Sequence, residues 1–451
     1  MKKIVLIPIL LFIGCPLFAQ SGEKNGQFGA GNLTEMLIRV DAGMEIIIEP
    51  SSSQAITYRY TFEGNEEAYE HYFEHFEPAF DIKGAEARLS ISFPDQRKRN
   101  TNFKVSKHTL ELNIPMNVMI GLQTRYSSVD IRGFRKGLRV ENRSGKVLVN
   151  DIKESVMISN DYGEVTAGEI SGDLKITNRS SKVDVKNVIG LVQINAEYSK
   201  INISAIDGDI AMTNRSGVLN AFDIRGGIRG VGPYMNYELT NIDGEISIDN
   251  KSGDVTIDGA RTLSVSGDYV NIFAKGVNSG IPLQIDGRSA DIRLEQIESD
   301  ITLSGQYLNT ELTNIDGSVT IRNRSGEITL TNISKDLSIE GEYLEIEVNK
   351  FYGENISVVN RSNDVSLETM SSLKRVFLEN QYGDIEITLN KPFIGTVLLE
   401  NEYGDLSSDL KLADQQVDRS DNSINISGKT GDGDGKLSIR NKSGDIQIRS
   451  N

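Results

Sequence analysis

Tryptophan is absent, cysteine occurs once and histidine three times in the 451 residues, and each shortage closes a class of explanation. The one cysteine, Cys15, lies in a leader-like segment, so a chain trimmed there has no thiol for a disulfide, a zinc ribbon or a nucleophile. His71, His75 and His108 all precede residue 126 and no GxSxG element occurs, so the long C-terminal part lacks a histidine base for a hydrolytic triad. Basic charge is also short. Lys and Arg number 48 against 64 Asp and Glu, a net charge of −16, which opposes attraction to nucleic acid or to an anionic membrane.

Long apolar runs are missing except at residues 4–18, which follow Lys2 and Lys3 and precede Ala19-Gln20-Ser21. That run is too short to span a membrane and reads as a signal peptide over residues 1–20, placing the product in the periplasm or at the cell surface. A second reading, the lipobox Phe12-Ile13-Gly14-Cys15, would leave a lipid anchor on Cys15; Phe12 and Pro16 depart from that pattern. No later stretch is a transmembrane candidate.

What the chain has instead is a repeat. Tyr126, Ser144, Tyr162, Ser180, Tyr198, Ser216, Tyr234 and Ser252 follow one another at 18-residue intervals, and the rhythm continues with small slips to Tyr403 and a last copy at Ser443. With Tyr or Ser as position 1, positions 4, 6, 9, 13 and 15 are apolar, which describes two short strands per unit and a β-solenoid. So few apolar side chains fill only a thin core, and each coil depends on its neighbours. Position 17 is nearly always Asn or Gly, for example Asn178, Asn214, Gly232, Asn250 and Gly267, and a left-handed corner is expected there. Position 11 adds a glycine column with Gly190, Gly208, Gly226 and Gly244.

Charge decides whether a coil holds 18 or 36 residues. Position 18 runs Arg143, Asp161, Arg179, Glu197, Arg215, and later Arg324, Glu342, Arg361. A 36-residue coil would stack arginine on arginine at about 4.8 Å, whereas an 18-residue coil alternates the signs and lets an arginine lie against the tyrosine one coil away.

The regular solenoid is expected over residues 126–412. Residues 21–125 keep strand patterns without the period and read as an irregular β-rich cap, with one helix at 66–77 presenting Tyr69, Tyr72, Phe73 and Phe76. Residues 413–451 read as a long loop before a final coil.

Chemistry is sparse. His71 and His75 are four apart on the expected helix but lack the HExxH glutamate, so a packing face is preferred to a metal site. Asp432 and Asp434 resemble a calcium loop only in composition. No metal or cofactor is therefore expected. The candidate ligand-binding residues are the tyrosines 126, 162, 198, 234, 269, 307, 343, 382 and 403, that is Tyr126, Tyr162, Tyr198, Tyr234, Tyr269, Tyr307, Tyr343, Tyr382 and Tyr403, since aromatic rows on a rigid edge can stack on an extended glycan. The competing reading is that these rings cover the corner and pack on arginines.

Leu110-Glu111-Leu112-Asn113-Ile114-Pro115, then Ile120-Gly121-Leu122-Gln123-Thr124, then Asn142-Arg143-Ser144-Gly145-Lys146-Val147 resemble the entry and repeated NxSGxV coils of the DUF4097-type β-helix family of exported bacterial proteins, which carries a provisional adhesin label. The resemblance covers most of residues 35–450. It implies a right-handed parallel β-helix in the envelope and supplies no catalytic residues. The expected function is non-enzymatic: binding of a surface glycan or envelope protein, or an envelope scaffold. The alternative is a polysaccharide lyase or hydrolase.

Overall fold

A computed structural model describes residues 19–94 and 102–450 as an all-β chain, a β-solenoid with 18-residue spacing. Most of the expected signal peptide, with Cys15, lies outside the described residues. The chain divides into two compact units, Met1–Glu154 and Ser155–Asn451.

In the second unit successive coils pair in parallel with a register of 18: Ser180 faces Tyr198, and Tyr198 faces Ser216. The coil is thus 18 residues and the 36-residue pattern is a paired repeat. The apolar positions turn inward as the period requires; Val183, Val185, Val188, Val192 and Ile194 of one coil are all buried.

The left-handed corner lies at position 8, not at position 17. Glu169, Asn187, Ala205, Asp223 and Asn241 stand there with φ of 52–56°. One αL residue resets the strand alternation, so that positions 6 and 9 both face the core. Because this column holds Glu, Ala, Gln and Lys besides Asn and Asp, composition does not mark it. The asparagines of position 17 are instead buried and spend their side chains on hydrogen bonds.

Coil order is not sequence order at the C-terminus. The last coil, from strands Gly435–Ser443 and Ile446–Ser450, pairs in parallel with Arg375–Tyr382 and Ile385–Leu389 on one side and with Gly395–Glu402 and Leu406–Ser408 on the other. Tyr382 faces Ser443 and Asn401 faces Asn441. Insertion of this coil restores the Tyr–Ser–Tyr alternation that Tyr382 and Tyr403 break in the sequence. Residues 413–429, expected as a loop, form strands Ala413–Arg419 and Ser423–Lys429, an antiparallel hairpin laid on Gly395–Glu402. The hairpin pairs with an edge that would otherwise be free. Asp432 and Asp434 occupy the exposed turn that follows.

The first unit uses the same device. Glu35–Val40 and Glu45–Ser51 form a coil that lies between the coil of Glu86–Ile91 and Val105–Pro115 and that of Met119–Gln123 and Ser128–Phe134. Antiparallel strands Gln20–Gly29 and Ala55–Gly64 cover one edge and Ala79–Lys83 the other. The helix is shorter than expected: Glu66–Ala68 is a single α turn and Tyr69–Glu74 a π-helix. Its rings close the end of the unit, with Phe76 stacked on buried Tyr60 at 3.8 Å and Tyr72 at 4.7 Å from His108. Burial pushes the Tyr60 hydroxyl up and His108 down to about 4.

Two outcomes follow from this packing. Leu437→Ala, in the inserted coil, is expected to cost about 2–5 kcal/mol in urea denaturation, as for a coil packed on both sides; Leu406→Ala in the end coil should cost less. A neutral buried imidazole with a depressed pKa binds its proton more readily unfolded, so His108 stability is full above about pH 6.5 and is lost as pH falls toward about 4. His108→Phe should flatten the pH dependence of the unfolding midpoint between those values.

Candidate functional site

The corner between positions 17 and 2 carries both the buried alternation and the tyrosines. Where Asn stands at 17, the residue three further on is usually glycine, as for Asn214 with Gly217, Asn250 with Gly253 and Asn323 with Gly326, the exceptions being Ser181 after Asn178 and Asn363 after Asn360. Where glycine stands at 17, that residue is aliphatic: Gly232 with Met235, Gly267 with Val270, Gly305 with Leu308, Gly341 with Leu344. One space inside the corner is therefore filled once per coil, by an amide or by an aliphatic chain. A Cβ on Gly232 would lie 2.7 Å from Met235 Cγ, and one on Gly253 would lie 2.1 Å from the Met235 carbonyl oxygen.

The amide does more than fill space. Asn250 Nδ2 donates to Met235 O at 2.8 Å while Met235 N donates to Asn250 Oδ1 at 3.2 Å. Asn323 repeats this with Leu308 at 2.8 and 3.1 Å, and Asn360 with Leu344 at 2.8 and 3.2 Å. Each asparagine thus clips the end of a turn to its beginning through a two-point imitation of a strand pair.

Outside that corner lie the candidate tyrosines. Eight of the nine are in the second unit, where Tyr198, Tyr307, Tyr343 and Tyr382 each pair with a serine of both adjacent coils, and Tyr126 is in the first. All nine are exposed, from 41% at Tyr343 to 60% at Tyr403. Consecutive rings in the second-unit row are two coils apart, about 9.6 Å, too far to stack on one another. The expected packing on arginine occurs at Tyr162, whose hydroxyl accepts from Arg179 Nη1 at 2.9 Å with the guanidinium 5.8 Å from the ring. At Tyr126 only a long 3.5 Å bond from Arg143 remains. The other seven carry no side-chain hydrogen bond, ring contact or cation–π contact with a described residue. The charge column pairs across coils at Arg179–Glu197, 3.4 Å, and Arg324–Glu342, 3.3 Å, both exposed and screened by solvent.

The histidines are placed elsewhere. His71 and His75 rings are 6.4 Å apart on the π-helix, His71 against Tyr72 and Phe103, and His75 Nδ1 lies 2.8 Å from the Glu70 carbonyl.

Two depressions were not anticipated. Register slips leave 17 residues between Ser252 and Tyr269 and 20 between Tyr269 and Ser289. Beside them a corner groove of about 800 Å³ has Gly267, Gly287 and Gly305 in its lining with Lys251, Asp268, Arg288 and Gln306. A second, of about 590 Å³, lies on the adjoining sheet face around Phe273 and Arg293, the guanidinium 6.0 Å from the ring and paired to Glu295 at 3.0 Å. The signal that could have found the first is the run of three successive glycines in that column, which occurs nowhere else along it.

The Asn-Arg-Ser-Gly corner at 323–326 and its relatives at 360–363 and 441–444 lie in the segment that matches a family model. Residues 283–449 match the Toastrack DUF4097 family. No curated protein matches the chain. Among solved structures, a candidate cell adhesion protein from Clostridium sporogenes is 8% identical, with 96% of this chain and 100% of that chain covered and a TM-score of 0.17. A candidate lipid-binding protein from Parabacteroides distasonis is 14% identical, with coverages of 75% and 97% and a TM-score of 0.16. Values this low carry no argument. The Toastrack segment contains Tyr307, Tyr343, Tyr382 and Tyr403, together with Gly287 and Gly305 of the corner groove.

The buried amide and the exposed charges make separable contributions. Asn250→Ala, which strips two buried backbone groups of their partner, is expected to cost about 1–3 kcal/mol in urea denaturation. Arg324→Ala should cost well under about 1 kcal/mol. The reverse order would return the paired repeat to the charge column.

Proposed function

We propose that this chain is an exported, non-enzymatic β-solenoid of the bacterial envelope that binds an extended surface glycan along its tyrosine row. The observation that carries the reading is that seven of nine regularly placed tyrosines stand on the surface without a polar or aromatic side-chain partner, on an edge held rigid by the coil register beneath it. A tyrosine offers a flat apolar face and a hydroxyl, the combination that suits a sugar ring. The leader-like residues 1–20 support export, to the periplasm or the cell surface.

The test is affinity electrophoresis of the secreted chain through gels containing single polysaccharides, alongside a reducing-end assay on the same polymers. Retardation by at least one polymer with no release of reducing ends is expected. Triple replacement Tyr198→Ala, Tyr234→Ala, Tyr343→Ala should weaken retardation, each ring contributing about 0.5–1.5 kcal/mol. Steady release of reducing ends would replace this reading with a polysaccharide lyase or hydrolase.

A further inference from the structure

We infer that the corner groove beside Tyr269 and Tyr307 is the principal sugar subsite of that row, and that it takes a neutral, extended glycan engaged one disaccharide per tyrosine. This rests on the glycan-binding reading above and adds the place, the charge and the repeat of the ligand.

The repeat comes from the coils. Ser289 faces Tyr307, and Ile272 in the coil of Tyr269 faces Ile292 in the coil of Ser289, which sets the two tyrosines two coils, or about 9.6 Å, apart. That distance is close to the length of one disaccharide in an extended β-linked chain, so a ring can meet every second sugar.

The place comes from Gly287. In the lining of the groove, Gly267 and Gly305 are imposed by packing, since a Cβ on either would lie 1.9 Å from the Asn250 carbonyl oxygen or 2.5 Å from Leu308 Cγ. Gly287 is not imposed: a Cβ there meets nothing nearer than 3.4 Å, and its backbone is not left-handed. The column elsewhere places asparagine before Arg-Ser, as at Asn250-Lys251-Ser252 and Asn323-Arg324-Ser325. No close contact requires glycine at 287, and its effect is to leave the corner open beside Asp268 and Gln306, which directly precede the two exposed tyrosines.

The charge comes from the walls. Asp249, Asp268 and Asp286 face Lys251, Arg288 and Arg322 around the groove, a balance of signs that favours no polyanion, and the chain as a whole carries −16. The side chains of Lys251, Asp268, Arg288 and Gln306 make no hydrogen bond or ion pair with a described residue, so donors and acceptors are available for hydroxyl and acetamido groups.

The experiment is calorimetric titration of the secreted chain with cello- and chito-oligosaccharides of two to six sugars. Affinity is expected to rise about tenfold between the disaccharide and the tetrasaccharide, as the second ring is engaged, and little at the odd step. Gly287→Asn and Tyr307→Ala should each weaken tetrasaccharide binding about tenfold, Arg288→Ala severalfold, and Tyr162→Ala less than about twofold. Should Gly287→Asn fail to fold, as read from its unfolding midpoint, the surface changes at Arg288 and Tyr307 decide the matter. Equal losses for Tyr162→Ala and Tyr307→Ala with Gly287→Asn silent would overturn the groove and leave the tyrosine row standing. Tighter binding of a sulfated or carboxylated glycan would overturn the neutral ligand. Absence of binding to every oligosaccharide and polymer would overturn both the groove and the row.

Discussion

The backbone of one coil lies on the backbone of the next at strand spacing, and every other feature of the repeat answers to the space this leaves at the corner. Each turn must close with position 17 near position 2, where two chain segments and their neighbours in the adjacent coil converge. The space admits one side chain per coil. Asparagine, most often with a following glycine, and glycine with a following aliphatic are the two commonest solutions, and they alternate over 214–267 and 305–360. The amide solution has the further advantage of pairing a buried N–H and C=O, groups that are costly to leave bare.

This constraint changes how the 36-residue pattern is understood. The alternation of arginine with acidic residues at position 18 is real, and two of its pairs are within 3.4 Å, but both are exposed and screened by solvent. The buried alternation two residues away has more at stake per coil. Tyrosine and serine at position 1 sit outside that corner, whose interior alternates in step with them only over 214–267 and 305–360. The outer pattern is free to serve recognition because the inner one already holds the coils in register.

Ends pose a different problem, since a terminal coil presents a row of unpaired backbone groups. Both units answer it by moving a coil out of sequence order and laying antiparallel strands on an exposed edge. The C-terminal coil is held on two sides although it comes last in the chain. In the first unit the covering extends to an aromatic cluster around Tyr60 and His108, where burial holds the imidazole neutral.

Much of this was legible before any coordinates. The inward columns at positions 4, 6, 9, 13 and 15 and the 18-residue coil follow from the period of the chain and the side chains on it, because in a solenoid each residue's neighbours are its own equivalents one repeat away. Three things were not. The αL residue at position 8 has mixed occupants such as Glu169, Ala205 and Asn241, so only the backbone reveals it. The insertion of residues 436–450 between two earlier coils is a contact between distant segments, and period alone cannot order coils that share one period. The corner groove is a void, defined by what Gly287 leaves out beside rings brought alongside by the stack. Periodicity determines what repeats, and tertiary structure decides which copies meet and where the repeat is allowed to fail.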